Sequence, residues 1–245
     1  MKRNKVLASV LLSALFLQGT VAVSAAGKVA STANNEAAIE FEDNTDPTNP
    51  VDPENPTNPV DPKNPNEKTD NPGPLSIDLV SYYNFGKVKI TGNDNTYFSA
   101  PTSVKPKGET EFVDRANYVQ VTDNRGSGAG WKLTVEQQQP LHNATTNQDI
   151  VGTKITLLNG FSNNARKTDA NTPVKGTDVV IEPGKGAVTV LTAQRDQGIG
   201  TWTHSFGKDA TEGAKSVKLD IPGSQKISKG GYKATLKWTL LDDPS

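Results

Sequence analysis

His142 and His204 are the only imidazoles of the chain, and no cysteine accompanies them. Nucleophilic catalysis of the Ser-His-Asp kind would have to recruit one of the two. They lie far apart in sequence, however, and no serine stands in a nucleophile-elbow context. His204 alternates with Trp202 and Phe206, which is the pattern of a histidine packed in a strand. Two imidazoles without thiolates fall short of a zinc ligand set. Oxygen-rich turns around Asp94 and Asp123 leave calcium open, although no EF-hand spacing occurs. Glycosidases need only two carboxylates, and none of the 27 Asp and Glu side chains is singled out for that work. Gly126-Ser127-Gly128-Ala129-Gly130 has the small residues of a phosphate-cradling loop, but no Lys-Ser/Thr follows it, and it reads as a hairpin loop entering the next strand. The chain therefore reads as non-catalytic, with no cofactor implied.

The chemistry that the residues do point to is recognition. Two Trp-x-Leu segments occur, Trp131-Lys132-Leu133 and Trp238-Thr239-Leu240. Successive side chains of a strand point to opposite faces, so Trp131, Leu133 and Val135 share one face, and Tyr232, Ala234, Leu236, Trp238 and Leu240 share one face of the last strand. Indoles at such positions are more often core than contact, because tryptophan is mostly buried. The alternative is an indole edge that meets a sugar, a glycan strand or a partner protein. Trp131, Leu133, Tyr232, Trp238 and Leu240 are the candidate binding residues on that reading.

The paired motifs, the second in a Tyr-x5-Trp-x-Leu segment from Tyr232 to Leu240, resemble the WxL domain, a surface-attachment domain of low-GC Gram-positive bacteria. The resemblance is placed over residues 75–245. It implies non-covalent attachment to the cell wall, to peptidoglycan or another wall polymer, alongside partner surface proteins. The alternative function is an adhesin or a subunit of a surface complex that a partner retains or that binds host matrix.

The elements around these motifs are consistent with export. Residues 1–26 read as a cleavable signal peptide, with Lys2, Arg3 and Lys5 ahead of an apolar run from Val6 to Leu17 and small residues at Val23-Ser24-Ala25-Ala26. That run is too short for a permanent span, which needs roughly 20 apolar residues. No membrane span is expected in the mature chain, which is placed outside the cell, at the surface or in the wall. Without cysteine there is no lipid-modifiable residue, and no covalent sorting tail follows Leu240-Leu241, so contacts alone are expected to hold the protein. A formal net charge of −1 gives no global field for nucleic acid. Local attraction to an anionic wall would fall to Lys215, Lys218, Lys226, Lys229, Lys233 and Lys237, which read more simply as solvated strand faces.

From Pro47 to Pro65 proline recurs at every third position, the repeat of a polyproline II helix. The proline tract has no aromatic and almost no aliphatic residues, and Gly27 to Thr45 is a short polar segment with Ile39 and Phe41 as its main hydrophobes, so residues 27–74 read as a disordered polar segment and proline-rich linker. About 20 such residues would reach on the order of 60 Å as a spacer. Residues 75–245 show short alternating segments separated by turn signals: Leu75/Ile77/Leu79, Lys87–Thr91, Tyr118–Thr122, Val151–Leu158, Asp178–Glu182, Ala187–Thr192, Trp202/His204/Phe206 and Val217/Leu219/Ile221. Residues 159–177 read as a surface loop. The expected fold is all-β, an antiparallel β-sandwich or related barrel.

Overall fold

The computed structural model describes residues 31–165, 174–175 and 178–244. The expected signal peptide lies outside them, as does part of the expected 159–177 loop. The chain divides into two compact units, Met1–Phe41 and Glu42–Ser245. The described part of the first has no regular secondary structure and is exposed, with Ile39 and Phe41 at 78% and 85% of full exposure.

The second unit carries the strands, in order β1 (Val60–Pro62), β2 (Leu75–Val80), β3 (Asn95–Phe98), β4 (Thr102–Pro106), β5 (Val113–Arg115), β6 (Tyr118–Asp123), β7 (Trp131–Gln137), β8 (Leu141–Asn143), β9 (Gln148–Ile150), β10 (Lys154–Leu157), β11 (Gly160–Asn164), β12 (Val174–Lys175), β13 (Val179–Ile181), β14 (Val188–Ala193), β15 (Gly200–Phe206), β16 (Val217–Ile221) and β17 (Leu236–Leu241). Among the described residues, helix is confined to a 3-10 turn, Pro65–Glu67, and one short turn, α1 (Ala210–Gly213). The fold is all-β and antiparallel. Three four-stranded sheets, β11-β15-β6-β2, β13-β10-β16-β3 and β12-β14-β7-β17, enclose one core, flanked by a three-stranded sheet β1-β4-β5 and the hairpin β8-β9. None of the sheets closes into a barrel.

Every residue of β6 is buried, because the strand is covered on both faces. Val119 and Val121 enter the main core with Trp131, Leu133, Trp202 and Phe206. Tyr118 enters a second cluster with Val60, Leu79 and Val104 on the other side. A bulge in β2 supplies Leu79. Ile77 faces Val121, but the register then slips so that Leu79 faces Gln120 and Val80 faces Val119. Leu75, Ile77 and Val80 thus pack on the main core, whereas Leu79, expected beside Leu75 and Ile77, points the opposite way.

The proline-repeat segment is the main correction to the sequence reading. Within residues 49–70 it is not a disordered spacer but a strap over the outer face of β6 and β2. Gln120 accepts from Val51 N–H at 2.7 Å and donates to the Asn49 carbonyl at 3.1 Å, and the Tyr118 hydroxyl donates to the Val51 carbonyl at 3.2 Å. The strap folds back on itself through Asp52 N–H to the Asn58 carbonyl and Val60 N–H to the Pro50 carbonyl, then pairs through β1 with β4. Arg115 grips Asp52 with two hydrogen bonds of 2.7 and 2.8 Å, and the Asp52 carboxylate is only 3% exposed. Glu67, 4% exposed, accepts from Tyr82 N–H and the Thr102 hydroxyl. Proline suits this position because the strap is an edge and a turn, where a missing N–H costs no ladder bond. Buried polar groups anchor it together with Val60, Pro50, Pro53 and Pro56, a small apolar share that does not stand out in its composition.

Two further expectations are revised. Lys87–Thr91 forms no strand and leaves Val88 and Ile90 exposed. Residues 160–164, read as loop, are β11 and pair with β15 from Gly160↔Phe206 to Asn164↔Trp202.

Candidate functional site: the paired Trp-x-Leu strands

The two Trp-x-Leu segments, about a hundred residues apart in sequence, are neighbours in space. β17 pairs antiparallel with β7, with Leu240 opposite Leu133, Trp238 opposite Val135 and Leu236 opposite Gln137. Directly opposed residues share a face, so Trp131, Leu133, Trp238 and Leu240 all point toward the main core. On the other side of β7, β14 sets Leu191 against Leu133 and Ala193 against Trp131.

The two tryptophans differ because their strands do. β7 is interior to its sheet, and Trp131 is fully buried. Its indole N–H donates to the Gly198 carbonyl at 3.1 Å. Gly198 adopts φ +69°, and a Cβ there would lie 2.5 Å from the indole nitrogen, so the loop can close on Trp131 only through glycine. β17 is an edge strand, and Trp238 and Leu240 are only partly buried against the core. Among the described residues no hydrogen-bond acceptor meets the Trp238 indole N–H. Trp131 is thus a core residue, as tryptophan's general tendency predicted. Trp238 has a packed side and an open side.

The Gly-rich segment before β7 has a structural explanation. The Arg125 guanidinium donates to the Gly130 carbonyl at 2.7 Å and grips Asp123 at 2.9 and 2.8 Å, while Asp196 N–H donates to the Gly128 carbonyl. Asp123 is thereby committed to an arginine rather than to the calcium left open from sequence. Arg125 also reaches the Asp242 carbonyl at 3.4 Å, which ties the start of β7 to the end of β17.

Tyr232 is not brought to this surface. It precedes β17, and its hydroxyl meets Gln148 Oε1 and Ser228 N–H, each at 3.0 Å, beside the β8-β9 hairpin. The outer face of β17 carries Lys237, opposite Glu136, and Leu241, 43% exposed and opposite Lys132. That face and the unpaired edge of β17 were not legible as a surface, because Trp-x-Leu has the same spelling in an interior and an edge strand.

The histidines sit in separate settings. His142 pairs with Asp149 across the β8-β9 hairpin at 2.7 Å. His204, 4% exposed, lies 2.9 Å from the Ser162 hydroxyl and edge-on to Phe206, inside the fold where sequence alternation put it. Among the described residues, no group of three or more His, Cys, Asp or Glu is placed to hold a metal ion, and no helix is long and apolar enough to cross a membrane.

No curated protein and no solved structure matches this chain. The family model described as "WxL domain surface cell wall-binding" matches residues 28–244, which takes in the proline strap as well as both Trp-x-Leu strands. With the motifs paired as β7 and β17 and the match running through nearly the whole described fold, the chain belongs to the WxL domain family of cell-surface, wall-binding proteins.

Proposed function

We propose that this is a secreted, non-catalytic protein that binds the cell-wall peptidoglycan, or another wall polymer, directly and non-covalently, and that the contact is made at β17, the edge strand of the domain. The observation that carries this reading is Trp238: an indole half-buried on an edge strand, its N–H without an acceptor among the described residues, beside a fully buried counterpart in the neighbouring strand. A half-open indole presents an apolar face and a donor together, the combination that suits the apolar faces and ring oxygens of a glycan. Trp131, Leu133 and Gly198 hold the strand beneath it in place. Tyr232 supports the approach to β17 rather than the contact.

Extraction from intact cells tests the non-covalent part. Concentrated guanidinium, which solvates apolar and peptide groups, releases the protein without wall digestion on this account. High salt alone, which screens exposed charges beyond about 3 Å at 1 M, leaves most of it in place. Release only after enzymatic digestion of the wall would mean covalent attachment and end this reading. Retention by a partner protein, as an adhesin or complex subunit, would show as loss of binding to walls stripped of protein.

A further inference from the structure

Residues 87–90 have the alternation of a strand but form none. Lys87-Val88-Lys89-Ile90 alternates basic and apolar side chains, Val88 and Ile90 are 54% and 57% exposed, and no hydrogen bond joins the backbone of these four residues to any described residue. A second segment has the complementary pattern. Ile39-Glu40-Phe41-Glu42 alternates apolar and acidic side chains, and Ile39 and Phe41 are the most exposed large hydrophobic residues among those described. In an antiparallel register, Ile39 falls opposite Ile90, Glu40 opposite Lys89, Phe41 opposite Val88 and Glu42 opposite Lys87. All four positions match, two apolar pairs on one face and two ion pairs on the other, which is the unit from which sheets gain stability.

We infer that Ile39–Glu42 of one copy adds as a β-strand to Lys87–Ile90 of a second copy, so that the protein self-associates through strand addition. The tethers favour a second copy over the same chain. The Thr45 carbonyl accepts from Gly73 N–H at 3.0 Å, which fixes the chain three residues after Glu42 near the start of β2. Asn84, three residues before Lys87, is fixed by Ser99 and Ala100 beyond the other end of β2. The six residues of β2 span roughly 20 Å, and three extended residues on each side reach about 10 Å apiece. Pairing within one chain would hold both tethers at full stretch, whereas a second copy meets no such limit. Each copy offers one donor and one acceptor, and the free backbone groups of an exposed strand are a ready template for such addition.

Sedimentation velocity on the chain from residue 27 onward, over a wide concentration range, tests the inference. The expected result is a monomer that associates as concentration rises. K87E/K89E alone and E40K/E42K alone each weaken association at least about tenfold, since two attractive cross-strand pairs become repulsive. An equimolar mixture of the two variants restores it, and unchanged melting of each variant shows that the fold is intact. Because the chain has no cysteine, F41C in one copy and V88C in another report the register directly by forming an intermolecular disulfide under oxidation. A monomer at all concentrations, unweakened association of either charge variant, failure of the mixture to recover, or a double variant that closes its disulfide within one chain would each overturn the inference.

Discussion

Replacing each motif tryptophan by alanine separates core from contact. Trp131 is fully buried and hydrogen-bonded to Gly198, so Trp131→Ala leaves a large cavity and an unpaired buried carbonyl. The cavity costs roughly 3–5 kcal/mol and the lost hydrogen bond about 1 more. Trp238 is only partly buried on an edge strand, so its removal leaves a smaller cavity that is open on one side and costs no buried hydrogen bond, on the order of 2 kcal/mol. With a urea slope of about 2 kcal/mol/M, the unfolding midpoint falls by roughly 2–3 M for Trp131→Ala and by about 1 M for Trp238→Ala. Against a total stability of about 5–15 kcal/mol, Trp238→Ala remains folded and can be assayed for binding. Urea melts followed by circular dichroism provide the comparison. Equal midpoint shifts would place both indoles in the core and remove Trp238 as the contact; a shift near zero for Trp131→Ala would refute the assignment of Trp131 as a core anchor.

Three further outcomes follow from the packing. Arg115→Ala leaves the Asp52 carboxylate buried beneath the strap without its partner, so stability falls by roughly 3–5 kcal/mol, and limited proteolysis of the wild type leaves a resistant core that begins near residue 45; a core beginning near residue 75 would contradict a folded strap. Gly198→Ala places a Cβ against the Trp131 indole at φ +69° and lowers the melting temperature, whereas an unchanged melt would mean the loop does not close on Trp131 as described. Burial pushes the Glu67 carboxyl above its ordinary value of 4.5, against hydrogen bonds from Tyr82 N–H and Thr102 that favour ionisation. The unfolded chain therefore ionises first, so the stability tied to Glu67 is fully present below pH 4.5 and is lost as pH rises through the higher folded value. Glu67→Gln, which can accept from Tyr82 and donate to Thr102, makes the stability less dependent on pH across that window; identical profiles for the two proteins would refute the cost assigned to this carboxylate.

Alternation was a good guide to where the main strands of the core run. β6, β7, β15, β16 and β17 lie where Tyr118–Thr122, Trp131–Val135, Trp202–Phe206, Val217–Ile221 and the terminal Trp-x-Leu segment placed them. It failed where tertiary context decides. Leu79 changes face because a bulge shifts its register, which no local pattern announces. Lys87–Ile90 alternates as well as any strand yet finds no neighbour among the described residues. The strap was missed because its anchors are remote in sequence: Asp52 and Arg115, or Val51 and Gln120, are more than sixty residues apart. At the site, the two motifs were legible as strands, but their adjacency was not. The contrast between Trp131 and Trp238 was not, since only sheet order distinguishes an interior strand from an edge.

Direct binding to the wall is the claim on which the functional account stands, and co-sedimentation with sacculi stripped of protein tests it most directly. Wild-type protein should pellet with the sacculi in the absence of any partner, and folded Trp238→Ala should remain largely in the supernatant. Wild-type protein that stays in solution, or Trp238→Ala that pellets as well as wild type, would contradict the account.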